Sequence, residues 1–247
     1  MLNPNFDYEN KLIKSGFSRI CGIDEVGRGP LAGPVVACAL TINNSKNFAA
    51  EKFKKLKDSK KLSAKQREKW HKILTENEDV KFGIGIVSEK IIDKINILEA
   101  TKLAMLKALE NLARRPASPK LHQGELADKS ALTRANRGES ASAMLQRDKP
   151  DFLLIDGNFI LEQIDLNQKA VPRGDEKIIS IAAASIIAKV TRDKMMLKYH
   201  KKYPDYFFDK HKGYGTKLHF KMIEKHGPCP IHRRSFEPIK SLTFNEF

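Results

Sequence analysis

Between residues 19 and 42 two short apolar runs, 19–24 and 35–42, flank the segment Asp24-Glu-Val-Gly-Arg-Gly-Pro-Leu-Ala-Gly-Pro34. Runs of this length and composition suit strands, and a turn containing Gly27, Gly29 and Gly33 folds the second back on the first, so the chain opens with a β-hairpin. The first strand ends on two adjacent carboxylates, Asp24 and Glu25, with Arg28 close by in the turn. Acids at a strand end hold divalent metals, and glycines beside them let a polyanion approach the backbone. Metal and phosphate are the first expectation.

The remaining pattern alternates between strand and helix. Residues 63–75 have helical spacing with Ser63 as cap, 80–87 alternate like a strand, and 89–112 carry Ile92, Ile95, Leu98, Leu103, Leu106 and Leu109 at close to helical period. Residues 152–155 form a continuously apolar run that stops at Asp156-Gly157. A brief strand around Ala170-Val171 precedes Asp175, and one long helix is predicted from Glu176 to about His200. Its Ala182-Ala183-Ala184 patch permits close contact with a sheet, and a shorter helix follows at 217–225. The fold class is α/β.

Three acidic positions therefore lie where a strand stops: Asp24-Glu25, Asp156 and Asp175. Ligand sites in α/β domains gather at strand ends, so acids distant in sequence can converge there. Four carboxylates carry −4, which two Mg²⁺ or Mn²⁺ ions balance, and such a pair can orient a water for in-line attack on a phosphodiester. Each acid also has a plainer reading. Neighbours in a regular strand face opposite ways, so Asp24 and Glu25 share a metal only at a distorted strand end or through the longer reach of Glu25. Asp156-Gly157 reads equally as a turn, and Asp175 taken singly reads better as a helix cap. The glycines do not match a dinucleotide fingerprint or a phosphate loop, so no organic cofactor is expected.

Charge points to the partner. The chain carries 45 Lys and Arg against 30 Asp and Glu, net +15, which favours a polyanion. Residues 189–234 hold 13 Lys or Arg against four acids, with four of the five Tyr and five of the seven His. Basic and aromatic residues interleaved in this way suit a groove that tracks a phosphate backbone, although a solvated helix face has the same charge pattern. The apolar runs fall short of the roughly 20 residues that span a bilayer, and three cysteines make no disulfide framework, so a cytoplasmic protein with no membrane partner is expected. Cys21 and Cys38 read as small core residues. Cys229, with His226 and His232 near it, makes a poor zinc site in a Pro-containing tail, and surface positions are expected for these three.

Residues 114–149 contain no Ile, Val, Phe, Tyr, Trp or Cys. Such a segment cannot bury enough apolar surface to offset ordering entropy, and it reads as a disordered or loosely helical insert. It resembles the translated palindromic repeats found inside genes of some intracellular bacteria. Removing it leaves the rest of the chain at +11, because its eight basic and four acidic residues contribute only +4. Deleting it is expected to change activity little. One catalytic domain is thus made from 1–113 and 150–247.

Gly22-Ile-Asp-Glu-Val-Gly-Arg-Gly-Pro-Leu-Ala-Gly-Pro-Val-Val36 closely resembles the N-terminal signature of ribonuclease HII. Asp58-Ser-Lys-Lys-Leu62, Ile95-Asn-Ile-Leu98, Leu154-Ile-Asp-Gly157, Gly174-Asp175, Ser180-Ile-Ala-Ala-Ala-Ser-Ile-Ile-Ala-Lys-Val190 and Gly213-Tyr-Gly-Thr216 follow in that family's order. The resemblance spans the chain except 114–149. It implies a ribonuclease H-like fold with a mixed central sheet flanked by helices and helical C-terminal elements. It also implies Mg²⁺- or Mn²⁺-dependent cleavage of RNA in RNA–DNA hybrids, and incision at single ribonucleotides in duplex DNA, leaving 5′-phosphate and 3′-hydroxyl ends. By motif, Asp24, Glu25 and Asp156 are implied metal ligands, with Asp175 completing the acidic cluster. Gly27, Arg28 and Gly29 are implied to contact the ribonucleotide and Tyr214 the adjoining sugar. A monomer is expected. Ribonuclease HIII, the related family, differs in an added N-terminal domain and usually a Lys in place of Arg28.

Overall fold

A computed structural model describes residues 3–43, 53, 55–114 and 150–241; of the insert proposed from sequence, 114–149, Arg114 ends a helix and the rest lies outside the described residues. Five strands form one sheet in the order β3-β2-β1-β4-β5: β1 (Ile20–Val26), β2 (Val35–Ile42), β3 (Val80–Val87), β4 (Phe152–Asp156) and β5 (Asn167–Val171). The hairpin pair β1–β2 and the pair β2–β3 are antiparallel, whereas β1–β4 and β4–β5 are parallel, so the sheet is mixed as expected. The helices are α1 (Asp7–Lys14), α2 (Ala64–Thr75), α3 (Glu89–Arg114), α4 (Ile179–Lys202), the single turn α5 (Phe208–His211) and α6 (Lys217–His226). Among the described residues no helix is long and apolar enough to cross a membrane.

Strand periodicity divides the core between the two faces of the sheet. Cys21 and Ile23 of β1, with Val35, Ala37 and Ala39 of β2, meet Ala100, Ala104 and Ala108 of α3. Val36, Cys38 and Leu40 meet Ala182–Ala184, Ile186 and Ile187 of α4 on the other face. The alanine patch does what its small side chains permit. A Cβ at Gly22 would lie 2.4 Å from the Ser180 carbonyl carbon, so α4 lies against β1 at a distance no other residue allows. This contact holds the acid-bearing strand against the helix beside it.

Local signals account for most element boundaries. Ser63 accepts from the Gln66 N–H while the Gln66 side chain accepts from the Ser63 N–H, a complete capping box before α2. The helix predicted as continuous over 89–112 breaks at Asn96, which has φ 66° and ψ 168°. Its side chain accepts from the N–H groups of Leu98 and Glu99, so it starts a new helical segment there. The long C-terminal helix begins at Ile179 rather than 176, because Gly174–Glu176 form a 3₁₀ turn. The surface positions expected for Cys229 and His232 are corrected. Both are buried, beneath Tyr206, Phe208 and Met222. A shell assembled from the turn before α5, from α5 and from α6 covers them, and nothing local in the tail announces it.

Candidate active site

Parallel pairing sets Ile23 of β1 opposite Ile155 of β4, which brings the next residues, Asp24 and Asp156, side by side at the carboxyl ends of adjacent central strands. Both lie on the α4 face, with Gly22 and Leu154. Asp175 arrives from the 3₁₀ turn after β5. Carboxylate oxygens of Asp24, Asp156 and Asp175 all lie within 4.8 Å of one another. Two backbone amides orient the group: the Glu25 N–H donates to Asp24 Oδ1 at 2.7 Å and the Gly174 N–H to Asp156 Oδ1 at 2.6 Å.

Glu25 takes the position that strand alternation dictates. Its Cα pairs with Ala37, whose side chain faces α3, and it stands beside the trio rather than within it. Its Oε1 is 3.4 Å from Arg28 Nη1, while its Oε2 is buried with no hydrogen-bond partner. A buried carboxylate oxygen without a donor is costly unless a cation meets it.

The charges are mutually unfavourable. Burial first, and then the charges of Glu25 and Asp156, hold the Asp24 carboxyl well above the usual carboxylate range. Burial and the charge of Asp175 raise Asp156. Burial lifts Glu25 to about 7, against the opposing pull of Arg28 and with a further push from Asp156. Hard oxygen donors under mutual repulsion form a set that a divalent cation would relieve.

Lys60, which sequence reasoning did not single out although Asp58-Ser-Lys-Lys-Leu62 was in view, supplies one charge toward that relief. Its Nζ is 2.9 Å from Asp175 Oδ2. Partial burial works against its charge, but the hydrogen bond and charge of Asp175, with Asp24 and Asp58, raise its pKa overall. The Asp58 side chain accepts from the Lys60 N–H and fixes the turn that presents it.

A pH dependence follows with a defined sign. Glu25 is raised from 4.5 to about 7, so its protonated form stabilises the fold fully below about 4.5, and that contribution is lost as pH rises through about 7. In EDTA, Glu25→Gln is expected to match wild type in Tm near pH 5 and to exceed it at pH 8. Equal differences at both values would remove the proposed strain at Glu25.

The remaining expected contacts flank the acids. Arg28 is exposed, its guanidinium 5.9 Å from the Phe159 ring centroid. Gly27 has φ +95°, and a Cβ there would lie 2.3 Å from Arg192 Nε, whereas one at Gly29 would meet nothing within 4 Å. Tyr214 is 40% exposed, and Lys189 Nζ and Arg192 Cζ lie 5.7 and 5.8 Å from its ring centroid.

The basic tail is more structural than its composition indicated. Arg192 and Arg233 are fully buried, and His211, His219 and His232 are buried as well. The histidines form a directional chain. The Tyr214 carbonyl can only accept, so His219 Nδ1 donates to it at 3.0 Å, leaving His219 Nε2 to accept from His232 Nε2 at 3.0 Å. His232 Nδ1 in turn accepts from the Cys229 N–H at 2.9 Å. Burial pushes His219 down to about 3 and His232 to about 4, so both stay neutral as the pattern requires. Their ring nitrogens hold the Tyr214 loop.

Comparison with known proteins shows the family. The family model described as Ribonuclease HII matches residues 21–239. The chain is 44% identical over 233 residues to the ribonuclease HII of Chlamydia muridarum (strain MoPn / Nigg), covering 94% of this chain and 88% of that protein. Among solved structures it resembles the ribonuclease H2 from Pyrococcus horikoshii OT3, with TM-score 0.62 and 25% identity over 90% of this chain and 96% of that one. It also resembles Bst-RNase HIII solved in complex with Mn²⁺, with TM-score 0.60 and 16% identity over 90% of this chain and 68% of that one, a likeness of fold. A family match running from the first acid-bearing strand to the C-terminal segment, joined to that identity over nearly the whole chain, places this protein in the ribonuclease HII family of metal-dependent endoribonucleases that act on RNA–DNA hybrids.

Proposed function

We propose that this enzyme also incises duplex DNA at single embedded ribonucleotides, by a two-metal hydrolysis that leaves 5′-phosphate and 3′-hydroxyl ends. The convergence of Asp24, Asp156 and Asp175 within 4.8 Å carries the reading. Asp24, Glu25 and Asp156 would hold two Mg²⁺ or Mn²⁺ ions, with Asp175 completing the cluster and the unpartnered Glu25 Oε2 as an available donor. When bound, such ions activate a water and offset the charge that develops on the phosphodiester.

The protein's own groups do the positioning. Lys60 holds Asp175 at the edge of the cluster, and Gly174 holds Asp156. The 2′-hydroxyl distinguishes RNA from DNA, and in the Gly27-Arg28-Gly29 turn the backbone at Gly29 is open enough to hydrogen-bond it. The exposed Tyr214 face would pack on the next sugar and report whether a deoxyribose follows. Lysines of the C-terminal segment contact phosphate without reading sequence, so binding is sequence-tolerant and salt-sensitive. In this reading the enzyme works as a cytoplasmic monomer and needs no organic cofactor.

The test is a DNA duplex with one ribonucleotide, incubated with and without Mg²⁺ or Mn²⁺ and resolved on a sequencing gel. Cutting at the ribonucleotide only with metal, with the expected end groups, supports the proposal. Tight binding with no cutting under any metal would leave a non-catalytic duplex-binding protein and end it.

A further inference from the structure

Arg192 and Arg233 are fully buried, and all of their hydrogen bonds go to main-chain carbonyls. A buried guanidinium served only by carbonyls is an expensive way to fill a core, because its charge loses hydration that an apolar replacement would not need. What it provides is a rigid fork of five donors in one plane.

That fork is aimed at the glycine turn. Arg233 donates from Nη2 to the Gly27 carbonyl, from Nη1 to Arg28 O at 2.8 Å, and from Nε and Nη2 to Gly33 O at 3.0 and 2.8 Å. Arg192 donates to Pro34 O at 2.9 Å, to Ala32 O at 3.0 Å, and from Nη1 to Lys212 O at 2.9 Å. The backbone adds to the tie: Leu31 N–H donates to Gly213 O, and Arg233 N–H to Leu31 O, each at 2.8 Å. The two arginines thus join the Gly27–Pro34 turn to the residues just before Tyr214.

Peptide planarity turns this clamp into a statement about donors. In a trans peptide the C=O of one residue and the N–H of the next point in opposite directions. With Gly27 O and Arg28 O held toward Arg233, the N–H groups of Arg28 and Gly29 point away from it. Gly29 has no neighbour within 4 Å of where a Cβ would be, so the backbone is bare on the side a ligand approaches. Neither N–H has a hydrogen-bond partner among the described residues. Two successive free amides of this kind form a concave donor pair suited to an oxygen ligand.

We infer that Arg233, assisted by Arg192, is a positioning residue for ribose selectivity: it fixes the Gly27 and Arg28 carbonyls inward so that the Arg28 and Gly29 amides face the 2′-hydroxyl, while Arg192, through Lys212 O, ties the same turn to the residues before Tyr214. This rests on the proposed reading of the 2′-hydroxyl by the Gly27-Arg28-Gly29 turn. Lysine at position 233 keeps the charge but offers a single ammonium, which cannot hold three carbonyls in one plane.

The test uses the full chain with Mg²⁺. It measures kcat/KM on a duplex with one ribonucleotide, and the Ki of the matching all-deoxy duplex as competitor. Arg233→Lys is expected to lower kcat/KM at least tenfold while Ki changes less than twofold. If kcat/KM and Ki move together, or neither moves, Arg233 is merely structural and the inference is overturned. Should that variant not fold, hydrogen exchange on the wild type decides. The Arg28 and Gly29 amides are expected to exchange fast in the free protein and to be protected by the ribonucleotide duplex more than by the all-deoxy one; equal protection overturns the inference. Failure of the underlying reading shows separately, as a wild-type enzyme that cuts the all-deoxy duplex as well as the ribonucleotide duplex.

Discussion

Asp156→Asn is expected to lower single-turnover cleavage by at least ~10³-fold, the loss that follows when several kcal/mol of metal-borne stabilisation leave the transition state. The substitution is nearly isosteric, and Asn Oδ1 can still accept the Gly174 N–H that Asp156 accepts at 2.6 Å. The fold should therefore survive. Metal-free stability is expected to rise, because Asp156 is held above the usual carboxylate range by burial and by the charge of Asp175. A neutral amide removes that repulsion. Thermal melting in EDTA against melting with Mg²⁺ gives the second readout: wild type gains Tm on adding metal, and the variant gains much less. Cutting within tenfold of wild type would falsify the assignment of Asp156 to the metal.

Gly29→Ala is expected to cost about 10²-fold in kcat/KM, of the order produced by a misplacement of about 1 Å at a reacting centre, while leaving Tm nearly unchanged. A Cβ there meets nothing of the protein within 4 Å, so no packing objection exists. Any loss must come from something outside the chain that needs the space. Gly27→Ala makes the contrast. There φ is +95° and the new Cβ falls 2.3 Å from Arg192 Nε, so the fold itself is damaged and Tm falls. If Gly29→Ala cuts a ribonucleotide duplex as fast as wild type, no substrate atom approaches that face, and the proposed reading of the 2′-hydroxyl loses its site.

The two glycines show how far the sequence could be read. The hairpin, the α2 cap at Ser63, the alternation of β3 and the apolar run of β4 are local features, set by periodicity and by side chains bonding their own backbone, and each appears where its pattern lies. Lys60 was in view within a motif but carried no local sign of its partner, since Asp175 is 115 positions away. Arg192 had a faint signal: it continues the series Ala184, Ala188, Met196 at four-residue spacing, a lone charge on an otherwise apolar stripe. Arg233 and the His219–His232 pair had none, because Arg233 is buried against the distant Gly27–Gly33 turn and the histidines beneath Tyr206 and Phe208.

By itself the sequence determined the α/β class, the strands that carry Asp24 and Asp156, and the basic character that calls for a polyanion; β1 runs two residues past Asp24, to Val26. These are one-dimensional properties: side-chain period, the positions of acids relative to apolar runs, and summed charge. Only the tertiary structure decided which acids meet. Parallel pairing of β1 with β4 puts Asp24 beside Asp156, and a turn after β5 delivers Asp175, while strand alternation leaves Glu25 beside this trio, against Arg28. It also decided that two of the basic residues in the segment expected to track phosphate are buried against backbone carbonyls. The physical reason is that metal affinity, desolvation and hydrogen-bond direction depend on distances of a few ångströms between residues far apart in the chain, and strand register and helix packing set those distances.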